Sequence, residues 1–278
     1  MKSRRGAGLA EMIVALTLSA IVSAASATAL KGTERYMRRA RATADARRML
    51  RESAAVLGSE LRAAAADSVR VRGDTAVDFP GLVGVSVVCV ASGNVIVAPP
   101  DIAASGFPYS AWRAAPEAGD LLAVFDTAGA GAWRTTPIDS ATTPSNGAGC
   151  KPSSGLMSAA DSAARRPVTR IVLRSPLVPA PVVGAPLRVV RSGRYALTRA
   201  ADGSWSLSYR RCAPAPCGPA QPLAGPFAAP SDSGLVFSNV ASEGRLEITM
   251  RSLPPAGSIP GESAVLRVTL RNRAIGAP

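Results

Sequence analysis

Few side chains in this 278-residue chain are equipped for chemistry, and their types are restrictive. Histidine is missing altogether, so no Ser-His-Asp or Cys-His relay can be built, and neither a G-x-S-x-G elbow nor a P-loop occurs. Asp232 and Glu243 are the kind of acidic pair a glycosidase would use, but their neighbours mark them as solvated surface acids. Asp139 and Asn146 lie among Ser and Thr without the ligand spacing of a calcium loop. These residues predict a protein that is not an enzyme and that carries no cofactor and no metal. The four cysteines are Cys89, Cys150, Cys212 and Cys217. No C-x-x-C pair or histidine supplies zinc ligands. An even count behind an export-type N-terminus instead suggests two disulfides in an oxidising compartment, with three pairings open. Cys212 and Cys217, in CAPAPC, are the natural local pair, which would leave Cys89 with Cys150; four buried thiols are the alternative.

The remaining reactive side chain is an acid in an apolar run. Lys2, Arg4 and Arg5 form a basic head, and the 22 residues from Leu9 to Leu30 hold a single charge, Glu11. Twenty-two residues rising about 1.5 Å each span about 33 Å, enough for a bilayer core of about 30 Å. A carboxylate at the centre of such a helix costs on the order of 2.5 to 3.5 kcal/mol, and less near an interface, so Glu11 requires a function.

A basic leader ending in Gly6, followed by an apolar run with Glu at its fifth position, resembles the signal of type IV pilin-like proteins. The resemblance implies cleavage by a prepilin peptidase between Gly6 and Ala7, methylation of Ala7 as the new N-terminus, and retention of the apolar helix as the core of a filament. It also implies a role for Glu11 in assembly, paired with the N-terminal amine of a neighbouring subunit, since a buried charge is tolerated only when paired. Ala7, Gly8, Leu9 and Ala10 replace the more usual Phe, Thr, Leu and Ile of that family. A competing reading takes Ala25-Ser26-Ala27 or Ala27-Thr28-Ala29 as an ordinary secretory cleavage site, releasing a periplasmic or extracellular β-rich binding protein that starts near Leu30. Glu11 inside the apolar run, and a run longer than the usual 7 to 15 residues, oppose it. The flank after the span, with Lys31, Arg35, Arg38, Arg39, Arg41, Arg47, Arg48 and Arg51, is more basic than the head, and by the positive-inside rule alone would place the rest of the chain in the cytoplasm. The leader and the cysteines place it in the periplasm.

Stepping outward from these residues, positions 31–72 are rich in helix formers. Leu50, Ala54, Leu57, Leu61, Ala65 and Ser68 form one stripe, which predicts an amphipathic continuation of the helix. After Arg72, short β-rich runs alternate with Gly, Pro and Ser. The runs are 82–90, 94–98, 121–125, 132–136, 168–173, 187–191, 194–199, 204–210, 235–237, 245–250 and 265–271. Segments 99–118, 137–166 and 213–232 read as surface loops. The expected fold is therefore α+β: a leader (1–6), a helix (7–72, of which 7–30 spans a membrane and 31–72 is amphipathic), and a β-rich antiparallel head (73–278). Gly119-Asp120-Leu121-Leu122, Trp133, the strand from Tyr195, the strand from Leu207 and Arg267 to Leu270 resemble the phrasing of minor pseudopilins of the J class of type II secretion and of W-type minor pilins. That resemblance implies a low-copy subunit held first in the inner membrane and then in a pilus or pseudopilus. Its partners would be other pilins or pseudopilins and the prepilin peptidase. The net charge of +13 raises nucleic acid as a partner. Its basic residues outside the helix are scattered and accompany no recognition module, so none is expected.

Overall fold

The computed structural model describes residues 8–64, 68–101, 108–127, 129, 131–145, 149–213, 216–240, 244–254 and 260–270. Helix α1 (Leu9–Leu61) runs 53 residues, about 80 Å, without a proline to interrupt it. Its final turn tightens: Ala63 and Ala64 donate backbone N–H groups to Glu60 and Leu61, three residues back. The helix therefore stops about ten residues short of the boundary its stripe suggests. Ser68 lies beyond it, and Ala65 falls outside the described residues. The physical reason lies in the next segment. Arg70–Arg72 is strand β1, folded back through Gly73 (φ +60°) onto β2 (Ala76–Val87). Pairing with a sheet wins over continuing an exposed helix, where β-branched Val69 and Val71 are poor formers.

The head continues through β3 (Val90–Ser92), β4 (Val95–Ala98), β5 (Ala111–Trp112), β6 (Leu121–Phe125) and β7 (Trp133–Thr142). A short helix, α2 (Ala159–Ala163), precedes β8 (Thr169–Leu173), β9 (Pro186–Arg199), β10 (Trp205–Arg211) and β11 (Gln221–Phe227). The last three strands are β12 (Leu235–Val240), β13 (Arg245–Arg251) and β14 (Ser263–Thr269). Every pairing among them is antiparallel. An 11-stranded sheet follows the order β1-β2-β9-β6-β7-β8-β4-β3, with β10 and β11 continuing from β9 and β5 from β2, and β12-β13-β14 form a second sheet. Strand β9 is the hub. Along one edge it pairs with β2; along the other its first half pairs with β6 and its second half with β10. The fold is α+β, one long N-terminal apolar helix on a large antiparallel head.

Two main cores follow from this topology. The first lies where α1 meets both sheets and is built from Leu50, Leu57 and Leu61 of the helix with Phe79, Tyr195, Leu207, Phe237 and Ile248. The second, remote from the helix, packs Val83, Leu122, Ile138, Ile171 and Val189. The alternating apolar positions Leu246, Ile248 and Met250 of β13 are all buried, as a sheet with one wet face requires.

Candidate functional site: the bare helix and its attachment to the head

From Leu9 to Arg41 every residue of α1 is exposed, and partial burial begins at Ala42 and Thr43. The apolar side chains Leu9, Met12, Ile13, Leu16, Ile21 and Val22 therefore stand in the open, Leu9 at 79% and Ile21 at 64% of full exposure. This is the one helix among the described residues long and apolar enough to cross a membrane. An apolar surface of this extent, more than five turns long, marks a site meant to be covered.

Glu11 sits in the first turn of α1, and its Oε2 accepts a hydrogen bond from the backbone N–H of Gly8 at 3.2 Å. The helix end thus offers the carboxylate local compensation, because unpaired N–H groups and the dipole favour negative charge at that position. Gly6 and Ala7, the expected processing residues, lie outside the described residues.

The rear of the helix is fastened in three ways. Leu57 and Leu61 are fully buried. The Tyr195 hydroxyl donates to the Glu60 carboxylate at 2.7 Å, and burial, followed by the Glu60 charge, pushes the Tyr195 phenol up, so it remains the donor. Arg47 reaches Glu262, just ahead of β14, at 3.1 Å. Tyr195 is itself held by an aromatic cluster, stacked on Phe79 with ring centroids 4.8 Å apart and tilted against Tyr209 at 5.6 Å.

Behind this attachment, a charged network locks the hub strand. Asp120, completely buried, accepts two hydrogen bonds from Arg191, from Nε and Nη2, each at 2.8 Å, and one from the Glu117 backbone N–H at 2.9 Å. Arg211 approaches Asp120 at 3.4 Å and pairs with Glu117. The hydrogen bonds to Asp120 hold the Arg191 guanidinium further above its ordinary range. The sequence marks Asp120 within its Gly-Asp-Leu-Leu run, but only the register of β9 against β6 reveals its partner. Trp133, noted in the same context, lies beneath the Arg188 guanidinium at 3.7 Å.

The cysteines pair as Cys89–Cys150 and Cys212–Cys217. The first tethers the region after β2 to the loop beyond β7; the second closes a loop after β10. Asp139 lies on β7 and Asp232 in a 3-10 turn before β12, while Asn146 and Glu243 fall outside the described residues.

These features define a class: an α+β head carried on a long apolar helix of which only the rear third is packed. Compared with known proteins, the chain matches no family model, no curated protein and no solved structure.

Proposed function

We propose that the chain is a pilin-like subunit, held in the inner membrane by α1, matured after Gly6 by a prepilin peptidase, and assembled through that helix with other pilins or pseudopilins into a type IV pilus or type II secretion pseudopilus. The observation that carries the reading is the division of one uninterrupted helix into a bare forward part, which begins with the apolar run Leu9–Leu30, and a packed rear third. A membrane anchor alone needs about 20 apolar residues. Here the helix continues without a break past the apolar run, through Ala29 and a charged neck, into a spine whose Leu50, Leu57 and Leu61 join the head's core. A rigid rod joined in this way can move from lipid to a helical bundle without refolding. The helix runs on through both A-x-A sites and past Leu30. On this reading the head faces the periplasm, the disulfides form there, and the role is structural rather than enzymatic.

N-terminal mass spectrometry of the native protein tests the proposal. A methylated Ala7 supports it, and a chain starting at Leu30 sinks it. A second test is Glu11→Ala, which should leave membrane insertion intact and abolish filament incorporation. Normal incorporation would defeat the pairing role of Glu11.

A further inference from the structure

Between the apolar run and the head lies a segment that neither membrane core nor protein covers. From Leu30 to Ala42, where partial burial begins, the helix advances about 18 Å. Lys31, Arg35, Arg38, Arg39 and Arg41 lie in this neck against a single acid, Glu34, and all are exposed. Glu34 pairs with Arg38 at 3.0 Å. The other four cations have no acidic partner among the described residues. At about 100° per residue, Lys31, Arg35, Arg38 and Arg39 fall within an arc of about 100°, and Arg41 widens it to about 160°, so the positive charge covers one side of the helix and does not form a ring. Tyr36, 70% exposed, stands in the same two turns.

We propose that this neck is a binding collar for anionic phospholipid headgroups of the leaflet from which the helix emerges, a role that rests on the membrane-spanning part of the reading above. Position is the first argument. The headgroup layer begins where the apolar run ends and is about 5 to 8 Å deep. Lys31 sits at its base and Arg39 about 12 Å further along. Helical side chains lean toward the N-terminus, here toward the membrane, so the long Arg38 and Arg39 stems reach back into that layer. Tyr36 supplies the amphipathic ring that favours the same depth. Charge is the second argument. A second copy of this chain would present the same excess of cations to the neck and be repelled, whereas lipid phosphates offer anions at a density that can neutralise four or five charges together. Juxtamembrane cations of this kind each gain attraction from an anionic surface, roughly fivefold in binding per residue.

The test uses the full-length chain in detergent micelles, titrated with phosphatidylglycerol or phosphatidylcholine, with bound lipids counted by native mass spectrometry. The wild-type chain should retain phosphatidylglycerol selectively, and less of it as salt rises. Changing Lys31, Arg35, Arg38 and Arg39 together to Gln should raise the phosphatidylglycerol concentration for half-occupancy at least a hundredfold, at about fivefold per cation removed. Glu34→Gln, which frees Arg38, should lower it severalfold. These sites are exposed, so the variants are expected to keep the fold, which a thermal melt checks. Equal retention of the two lipids, or wild-type affinity in the quadruple variant, overturns the proposal. So does a quadruple variant that keeps its lipid but no longer co-isolates with partner subunits, which would make the neck a protein interface. The titration uses monomer in detergent, so failure to find a methylated Ala7 would count against the subunit reading and leave the lipid selectivity to be judged independently.

Discussion

Replacing Asp120 with Asn keeps the shape of the side chain and removes its charge, and the structure indicates a large cost. The wild-type carboxylate is completely buried and serves four donors: Arg191 twice at 2.8 Å, Glu117 N–H at 2.9 Å, and Arg211 at 3.4 Å. Arg191 is only 16% exposed at its side chain. Asn can accept at one oxygen only, and its NH2 would face a guanidinium donor. Arg191 would thus be left largely buried without its counter-charge. Breaking a buried pair from one side costs about 3 to 5 kcal/mol. Glu117, 3.5 Å from Arg191 Nη2, remains to offset the Arg191 charge, which favours the lower part of that range, about 3 kcal/mol. For a head of this size each kcal/mol moves the melting temperature by about 2 to 4 °C, so the full-length chain in detergent should melt roughly 6 to 12 °C lower. A double-mutant cycle with Arg191→Met separates the pair from its setting. If the reasoning holds, Asp120→Asn costs much less in the Arg191→Met background, with a coupling of about 1 to 3 kcal/mol. A loss below about 1 kcal/mol for the single variant, or strictly additive effects, would refute it.

Three further outcomes follow from the geometry. Leu57→Ala, at a fully buried position where the helix enters the first core, should destabilise the chain by about 2 to 5 kcal/mol in thermal or denaturant unfolding. Removing the Cys89–Cys150 disulfide, with its separation of 61 residues, should cost about 4 kcal/mol by loop-closure entropy, against about 2 kcal/mol for Cys212–Cys217 with its separation of 5; paired Ala variants compared by unfolding under oxidising conditions decide the ranking. Asp78 is held below the usual carboxylate range, chiefly by the side-chain hydrogen bond from Arg194 and further by Arg72. A carboxylate whose folded pKa is depressed contributes stability that is fully present above its unfolded pKa of about 4 and is lost as pH falls through the lower folded value. Asp78→Asn should therefore cost about 1 kcal/mol at neutral pH and progressively less as pH falls below about 4, read as a shallower acid limb of stability against pH.

How far the sequence reveals this molecule depends on whether local pattern or distant pairing decides each element. Leu50, Leu57 and Leu61 repeat at helical spacing and are buried as that spacing implies; Trp205, Leu207 and Tyr209 alternate and form β10. Both elements state their own face. Strand β11 does not. Its Pro222 and Pro226 lie in a segment that reads as loop, but its one ladder among the described strands is with β10, beside a single bridge from Phe227 to Ser252, and an edge strand tolerates prolines because its outward N–H groups need no partner. The polar second half of β7, from Pro137 to Thr142, is extended because β8 holds it, not because its residues favour a strand. The two runs 187–191 and 194–199 are one strand, joined through Ser192 and Gly193. Gly193 is required by a neighbour remote from it in sequence. A Cβ there would come within 2.6 Å of the Tyr209 ring, so glycine is what allows the aromatic cluster to close over the hub strand.

The same distinction separates the parts of the candidate site. Glu11 is conspicuous from sequence because its surroundings are apolar and local, and a charge in such a run needs a reason. Glu60 is inconspicuous, and Asp120 visible only as part of its Gly-Asp-Leu-Leu run, because what makes them matter, Tyr195 and Arg191, comes from a strand more than seventy residues away. Yet both partners lie on β9, four residues apart, so the strand that organises the sheet also anchors the helix. A force on the bare end of α1 reaches the hub strand through the Glu60–Tyr195 hydrogen bond, and reaches β14 through Arg47–Glu262 and the packing of Leu266 against the helix at Gly58. A head fastened to its helix at the hub strand and at β14 together is held through both sheets, so a pull along α1 is shared between them and is not carried by one strand alone.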